Sequence, residues 1–525
     1  MVEAGGVIDD FERCYVAVQS RDPRFDGMFF TAVTTTGIYC RPSCPAKTPM
    51  RANVRFYPTA AAAQRAGFRA CKRCRPNTSP GSPLWDIRAD VVARAMRLIA
   101  DGLVDREGVP ALASRLGYSV RQLERLLSSE VGAGPTALAR AQRAQTARVL
   151  IETTRLPMAD IAFAAGFSSV RQFNETVQSV FASSPSQLRA RSARSGRAPG
   201  TDGHPDSSGV STTSIVLRLP FRQPLCPDNL FGHLAATAIT GVEEVRGLTY
   251  RRTLRLEHGP GMVELTPGPT HITCRAVLSD LRDLTTTIAR CRWLLDLDAD
   301  PEAVDRHLAG SPRLESIIRK APGRRVPRCV DGAELAIRAV LGQQVSTAAA
   351  QTHARRIVEE HGEPIADPDG GLTHLFPSPE ALQDADVALP GARRHTLRSL
   401  VEELATGRLD LGIGCDRAEA LAVLADTPGI GPWTTSVIAM RALGDSDAFP
   451  ASDLGVRRGA GAAGLPSSSE AALNKEAEAW RPWRAYAVQY LWSLTDHSIN
   501  AWPPRSPGSR ATTRSSSSTR GEAKR

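Results

Sequence analysis

The spacing of apolar positions changes several times along this chain, and each change predicts a different kind of element. Residues 9–80 are interrupted by Pro and Gly and carry short aromatic-rich runs, which predicts a small mixed α/β unit. From Trp85 to about Arg194, Ala and Leu recur at helical spacing with Arg between them, the pattern of amphipathic helices. Residues 193–213, ARSGRAPGTDGHPDSSGVSTT, lose that periodicity and are rich in Gly, Pro, Ser and Thr, so a flexible linker is expected. The segments IVLRLPF, TYRRTLRLEHG, GMVELTPG and HITCRAVL then read as strands, with a helix around Leu230–Ala238. From Val330 to Trp492 the pattern is helical with short loops, and the basic, low-complexity tail over 506–525 reads as disordered.

With 525 residues the chain exceeds what one core can serve, and domain-size statistics predict three or four domains. The formal charge of +10 and the pI of about 9.3 favour a polyanionic partner. The start, MVEAGGVIDDFERC, is acidic and has no apolar stretch of a secretory signal. No run of about 18 apolar residues occurs, so no membrane partner and a cytoplasmic location are expected. Of ten cysteines, Cys40, Cys44, Cys71 and Cys74 form two close pairs while six are scattered. In a reducing compartment such a quartet favours metal over disulfides.

Cys40 and Cys44 are three residues apart in the intervening sense, and 26 residues separate them from the Cys71-x2-Cys74 pair. Four thiolates in two pairs can close a tetrahedral all-sulfur site, which suits zinc. Spacing alone leaves two readings open: a structural staple, or an activated thiolate. TTGIYCRPSC and GFRACKRC, within about residues 10–78, resemble the N-terminal domain of the Ada family. The resemblance implies that Cys40 accepts a methyl group from a DNA methylphosphotriester, with one zinc ion both structural and thiolate-activating. A zinc-bound thiol is deprotonated and therefore nucleophilic. Four thiolates on Zn²⁺ carry a formal charge of about −2, and methylation removes about one unit, so DNA binding is expected to tighten afterwards. Arg41, Lys47, Arg51, Lys72, Arg73 and Arg75 lie close enough in sequence to meet the phosphate backbone, or form an ordinary solvated surface.

The helical stretch contains a repeat: LASRLGYSVRQLERLLSSEVGAGP at 112–135 resembles IAFAAGFSSVRQFNETVQSVFASSP at 161–185. Arg121 and Arg171 are 50 residues apart, as are Pro135 and Pro185. Each copy has a helix, a Gly-aromatic-Ser turn and a second helix, which presents Arg121 and Gln122, or Arg171 and Gln172, at its N-terminal face. Residues 110–195 hold 11 Arg against 5 Asp and Glu, a net +6. A generic bundle with exposed arginines is the alternative. The pair is similar to the double helix-turn-helix of AraC-type proteins. That resemblance implies promoter DNA and RNA polymerase as partners, and a protein that binds as a monomer because two reading helices share one chain.

In the C-terminal half, LADTPGIGPWTTSVIAM at 424–440 places Pro428-Gly429-Ile430-Gly431 between two helical patterns. Gly429 and Gly431 let backbone N–H groups approach a phosphate. Asp453 follows 22 residues after Gly431, in FPASDLG. With VDGAELAIRAVLGQQVSTAAA, SDLGVRR and RPWRAYAVQYLW, these motifs resemble the helix-hairpin-helix glycosylases of the AlkA type over about 214–495. The resemblance implies a sheet domain over 214–325, a glycosylase domain over 326–500, and Asp453 as the catalytic carboxylate. It also places Trp433 and Trp483 around a flipped, alkylated base and Gln344 at the wedge into duplex DNA. Asp453 read alone could equally be a helix N-cap, and the tryptophans core residues. Trp433 stands where endonuclease III-type lyases have a nucleophilic lysine, which implies base removal without strand cleavage. No cysteine follows Cys415, so no iron–sulfur cluster is expected, nor any nucleotide cofactor. No PCHR-type methyltransferase motif occurs, so O6-methylguanine repair is not expected. Val437, Ser452 and His233 stand where AlkA has tyrosine, aspartate and phenylalanine.

Together these resemblances imply a multidomain α+β chain: an Ada-like zinc domain over 9–80, an AraC-type double helix-turn-helix over 85–192, the linker, and the AlkA-like halves. The expected function is repair of double-stranded DNA with alkylated bases of the 3-methyladenine class. The alternative is a methylation-activated regulator whose glycosylase half only binds DNA.

Overall fold

A computed structural model describes residues 11–22, 25–74, 76, 91–194 and 213–503. The tail over 506–525 and nearly all of the expected linker lie outside the described residues. The helix Pro185–Arg194 ends, and the strand Thr213–Pro220 begins, at the two edges of that linker.

The N-terminal unit is a four-stranded sheet of β1 (Phe30–Val33), β2 (Ile38–Cys40), β3 (Val54–Tyr57) and β4 (Arg69–Ala70), in the order β3-β1-β2-β4. Only β2 and β4 run parallel, and the helix Ala60–Arg65 makes part of the connection leading into β4. The helical repeat folds as two helix-turn-helix units joined by the long helix Pro135–Thr153. Their second helices are Val120–Glu130 and Val170–Phe181, each capped by a serine, Ser119 and Ser169. The first helix, Leu103–Arg115, is broken at Gly108, so only its later turns form the unit that precedes Gly117.

The third unit is a five-stranded antiparallel sheet, β5 (Thr213–Pro220), β6 (Glu243–Arg246), β7 (Thr249–Leu256), β8 (Gly259–Pro267) and β9 (His271–Leu278), ordered β5-β9-β8-β7-β6. Strand β6 carries no expected strand pattern, because EEVR is mostly charged. It forms because Arg252 on β7 is buried with Glu243 of β6 and Glu334 of the helix Gly332–Leu341, the latter at 2.7 Å. Opposed charges this deep hold the edge strand in register where apolar side chains ordinarily would. The rest is helical apart from a short antiparallel pairing of Glu363–Pro364 with His374–Leu375, and has two cores, one around the helices flanking Gly429 and one around the helix Arg484–Trp492.

The two halves pack on each other despite the linker. One core runs through Phe30 and Tyr39 of the first sheet, Ala147 and Phe173 of the repeat, and Ile215 and Leu254 of the second sheet. Arg94 donates to the Asp416 carboxylate at 2.9 Å and to the Gly414 carbonyl at 3.0 Å. Arg222 donates to the Asp26 carbonyl at 2.7 Å. No helix among the described residues is long and apolar enough to cross a membrane.

Candidate functional site

Two chemically distinct sites emerge. The first is set by the parallel pairing of β2 and β4. The Cys71 N–H donates to the Tyr39 carbonyl at 2.9 Å, which brings Cys71 beside Cys40. The turn between Cys40 and Cys44 is held by buried Asp26, whose carboxylate accepts from Ser43 N at 3.0 Å and Ser43 Oγ at 2.6 Å. Burial pushes the Asp26 carboxyl up and the Ser43 bonds oppose that shift. As a result the sulfurs of Cys40, Cys44, Cys71 and Cys74 all lie within 4.8 Å of one another. A tetrahedral zinc site with Zn–S near 2.3 Å needs sulfurs about 3.8 Å apart, so this donor set fits zinc. Cys40 is the one member that is not buried.

The basic residues nearby are partly committed inside the molecule. Arg41 pairs with Asp26 at 3.4 Å, Arg51 with Glu12, and Lys72 donates to the Ala182 carbonyl at 3.1 Å. Arg75 lies outside the described residues. In the repeat, Arg121, Gln122, Arg171 and Gln172 are all exposed. The Gln122 side-chain oxygen accepts from Ser119 N at 3.0 Å, and Gln172 does the same for Ser168 N at 3.3 Å. These glutamines therefore close the helix starts, leaving their amide N–H groups outward. Arg171 also pairs with Glu175 at 2.9 Å, an exposed contact that a phosphate could displace at little cost.

The second site is a cleft of about 1610 Å³ in the C-terminal half. Its rim carries Gln344, Gly429 and Gly431, and its wall includes His233, Trp433, Val437, Ser452, Asp453 and Trp492. The hairpin joins the helices Arg417–Asp426 and Pro432–Arg441, and Gly429 turns it with φ +81°. Asp453 is both the N-cap of the helix Leu454–Ala462 and a member of the cleft wall. Its Oδ1 accepts from Val456 N at 2.8 Å and from Trp492 Nε1 at 3.0 Å, while Oδ2 accepts from Trp433 Nε1 at 2.9 Å. Neither neighbouring arginine holds this carboxylate: Arg457 donates to Ser467 and Ser468 carbonyls, and exposed Arg458 lines the cleft without an ion-pair partner among the described residues. His233 stacks on Trp492 with ring centroids 6.1 Å apart. Burial, helped by Arg441 and Arg338, holds its imidazole well below the ordinary range, so it is neutral at pH 7.

Three family models match the chain: the metal binding domain of Ada over residues 13–77, a helix-turn-helix domain over 112–191, and the AlkA N-terminal domain over 216–331. A Mycobacterium tuberculosis protein described as "Probable bifunctional transcriptional activator/DNA repair enzyme AlkA" is 59% identical over 500 residues, covering 95% of this chain and 99% of its own length. The chain belongs to this bifunctional family. Its second half is similar to the Escherichia coli "DNA-3-methyladenine glycosylase 2", 31% identical over 275 residues, which are 50% of this chain and 92% of that one. Its first part is similar to the Escherichia coli "Bifunctional transcriptional activator/DNA repair enzyme Ada", 37% identical over 164 residues, 31% of this chain and 45% of that protein.

Within this family member one expected pocket residue sits elsewhere. Trp483 is absent from the cleft lining; it packs edge-on against Tyr486, with ring centroids 5.6 Å apart, beside the core of the helix Arg484–Trp492. From this segment it is Trp492, at the far end of that helix, whose indole joins Trp433 on Asp453. RPWRAYAVQYLW contains both tryptophans, and motif order alone could not tell which faces the cleft. The signal was in the glycines of LGVRRG. A Cβ on Gly455 would lie 3.0 Å from Trp492, and one on Gly459 would lie 2.0 Å from the Leu491 carbonyl oxygen. This pair of small residues, four apart, lets the helix Leu454–Ala462 close onto the helix of Trp492 and bring the indole to the carboxylate.

Proposed function

We propose that this chain is an alkylation-damage repair protein with two chemistries and a DNA-binding regulator module between them. Membership of the bifunctional family and the three domain matches support repair joined to transcription regulation. The observation that carries the enzymatic reading is the Asp453 carboxylate, gripped by two indole N–H groups in the wall of the cleft that the hairpin borders.

That grip has a chemical use. An alkylated purine is already cationic, and breaking its glycosidic bond moves positive charge onto the sugar. A fixed carboxylate stabilises that charge without having to reorganise, and the two indole N–H donors keep it aimed. The indole faces of Trp433 and Trp492 suit an electron-poor base, and neutral His233 adds no repelling charge. Gln344 occupies the rim where a flipped base leaves a gap. Trp433 supplies no amine for a Schiff base, so the glycosylase is monofunctional and leaves the strand intact.

Cys40, Cys44, Cys71 and Cys74 hold one zinc ion, which when bound keeps the thiols deprotonated. Cys40, the accessible member, is the methyl acceptor: its sulfur bonds to the methyl carbon of a methylphosphotriester while the methyl–oxygen bond breaks and the phosphodiester anion leaves. The exposed faces at Arg121, Gln122, Arg171 and Gln172 bind promoter DNA ahead of RNA polymerase. The protein acts in the cytoplasm, at the nucleoid, as a monomer.

The deciding experiment compares purified wild type with Asp453→Asn for release of 3-methyladenine from methylated DNA. Release is expected to fall about 10²–10³-fold. Asparagine can still cap the helix, so the fold should survive. Equal release by both proteins removes Asp453 from the mechanism.

A further inference from the structure

Gln343, one residue before the rim position Gln344, is held in an unusual way. Its Nε2 donates to the Gly429 carbonyl at 3.1 Å and to Thr434 Oγ1 at 3.0 Å. A carboxamide nitrogen has two hydrogens, so both are spent on the helix-hairpin-helix. Its backbone carbonyl in turn accepts from Arg393 Nη2 at 2.6 Å. Arg393 belongs to the helix Gly391–Ala405, and Thr396 of the same helix fills the space under Gly429: a Cβ there would lie 1.9 Å from Thr396 Oγ1. The next residue, Gln344, is exposed and has φ +55°, a left-handed conformation that costs a residue with a side chain of order 1 kcal/mol or more. Such a turn persists only where its neighbours impose it.

We propose that Gln343 is a positioning residue that ties the rim turn bearing Gln344 to the phosphate-facing hairpin, so that opening the duplex and gripping its backbone happen as one event. The inference rests on the glycosylase reading above. Gln344 reaches the duplex from a turn with few fixed contacts of its own, and a misplacement of about 1 Å at such a point costs about 10²-fold in rate. The tether passes through one side chain, whose amide gives both bonds. The chemistry at Asp453 does not touch Gln343, so its effect should appear only when a base must be extracted from a closed stack.

The test uses the full chain and duplexes carrying one 7-methylguanine, either fully paired or inside a short mismatched bubble, with 2-aminopurine beside the lesion to report opening. Gln343→Ala removes both bonds; Gln343→Glu keeps the shape but has no N–H and sets a carboxylate oxygen against the Gly429 carbonyl. Both variants should lose about tenfold in kcat/KM on the paired duplex, and Gln343→Glu at least as much as Gln343→Ala. Both should show a weaker opening signal and stay within about threefold of wild type on the bubble. Unaltered release from the paired duplex, or equal loss on both substrates, overturns the tether. If wild type opens the duplex but releases no base, while the variants lose opening, the tether stands and the role of Asp453 falls. Normal release by wild type with unchanged opening in the variants has the opposite meaning.

Discussion

The thiol quartet and the cleft are two candidate sites of one molecule, assembled in opposite ways. All four sulfurs come from residues 40–74 and are brought together by one strand pairing and one buried carboxylate. The cleft draws its wall from positions as far apart as His233 and Trp492, and its carboxylate depends on two indoles from different helices. A cysteine that keeps a methyl group is spent after one event, so it needs reach and activation only. A glycosylase must open, hold and release repeatedly, and its reactive group stays fixed while everything around it exchanges. A tight local cluster serves the first task, and an open cleft braced from several sides serves the second.

The sharpest way to separate the two sites is Cys40→Ser. Intact-mass measurement after incubation with methylphosphotriester DNA should show one added methyl on the wild type and none on the variant, with base release unchanged in both. A methyl found on another residue of the wild type would defeat the acceptor assignment. Stripping zinc with a strong chelator should likewise abolish methyl uptake and loosen the N-terminal unit, because structural zinc carries about 10–16 kcal/mol of apparent binding free energy in small domains.

Next in size is a pair within the cleft. Trp492→Phe deletes one of the two indole N–H donors on Asp453 and should lower kcat about tenfold or more, the worth of a hydrogen bond to a charged group. Trp483→Phe should stay within about twofold, since that ring only packs. If the two variants behave alike, the assignment of Trp492 is wrong. Gly459→Ala should destabilise the fold by about 1–3 kcal/mol, because its new methyl meets the Leu491 carbonyl, and should reduce base release as well by moving Trp492 off the carboxylate. A thermal melt and a release assay check both halves of that statement. Arg94→Ala, which breaks one of several contacts between the halves, is expected to cost about 1 kcal/mol or less, as its partner Asp416 is part-exposed. A drop in base release with Arg94→Ala would show that the halves are coupled in function.

Some of this was legible along the chain because it depends on near neighbours. The cysteine spacing, the doubled Gly-aromatic-Ser turn and the two-glycine hairpin are short patterns whose local geometry is nearly fixed by residue type. Alternation found β5 and β7 to β9, but not β6, whose register rests on buried charge pairs that no apolar pattern shows. Asp453 could be read as a cap or as a reactive group, and the structure gives it the cap bond together with a place in the cleft wall.

The chain by itself determined which chemistries are available: a thiol quartet, two helix-turn-helix units, a hairpin and a carboxylate, because these are set by side-chain type and short spacing. Only the tertiary structure decided which tryptophan faces Asp453, that Gln122 and Gln172 close their helices, and that the halves touch at Arg94. Those outcomes depend on how closely helices distant in sequence can approach, and it is small residues such as Gly455 and Gly459, together with buried ion pairs, that set that distance.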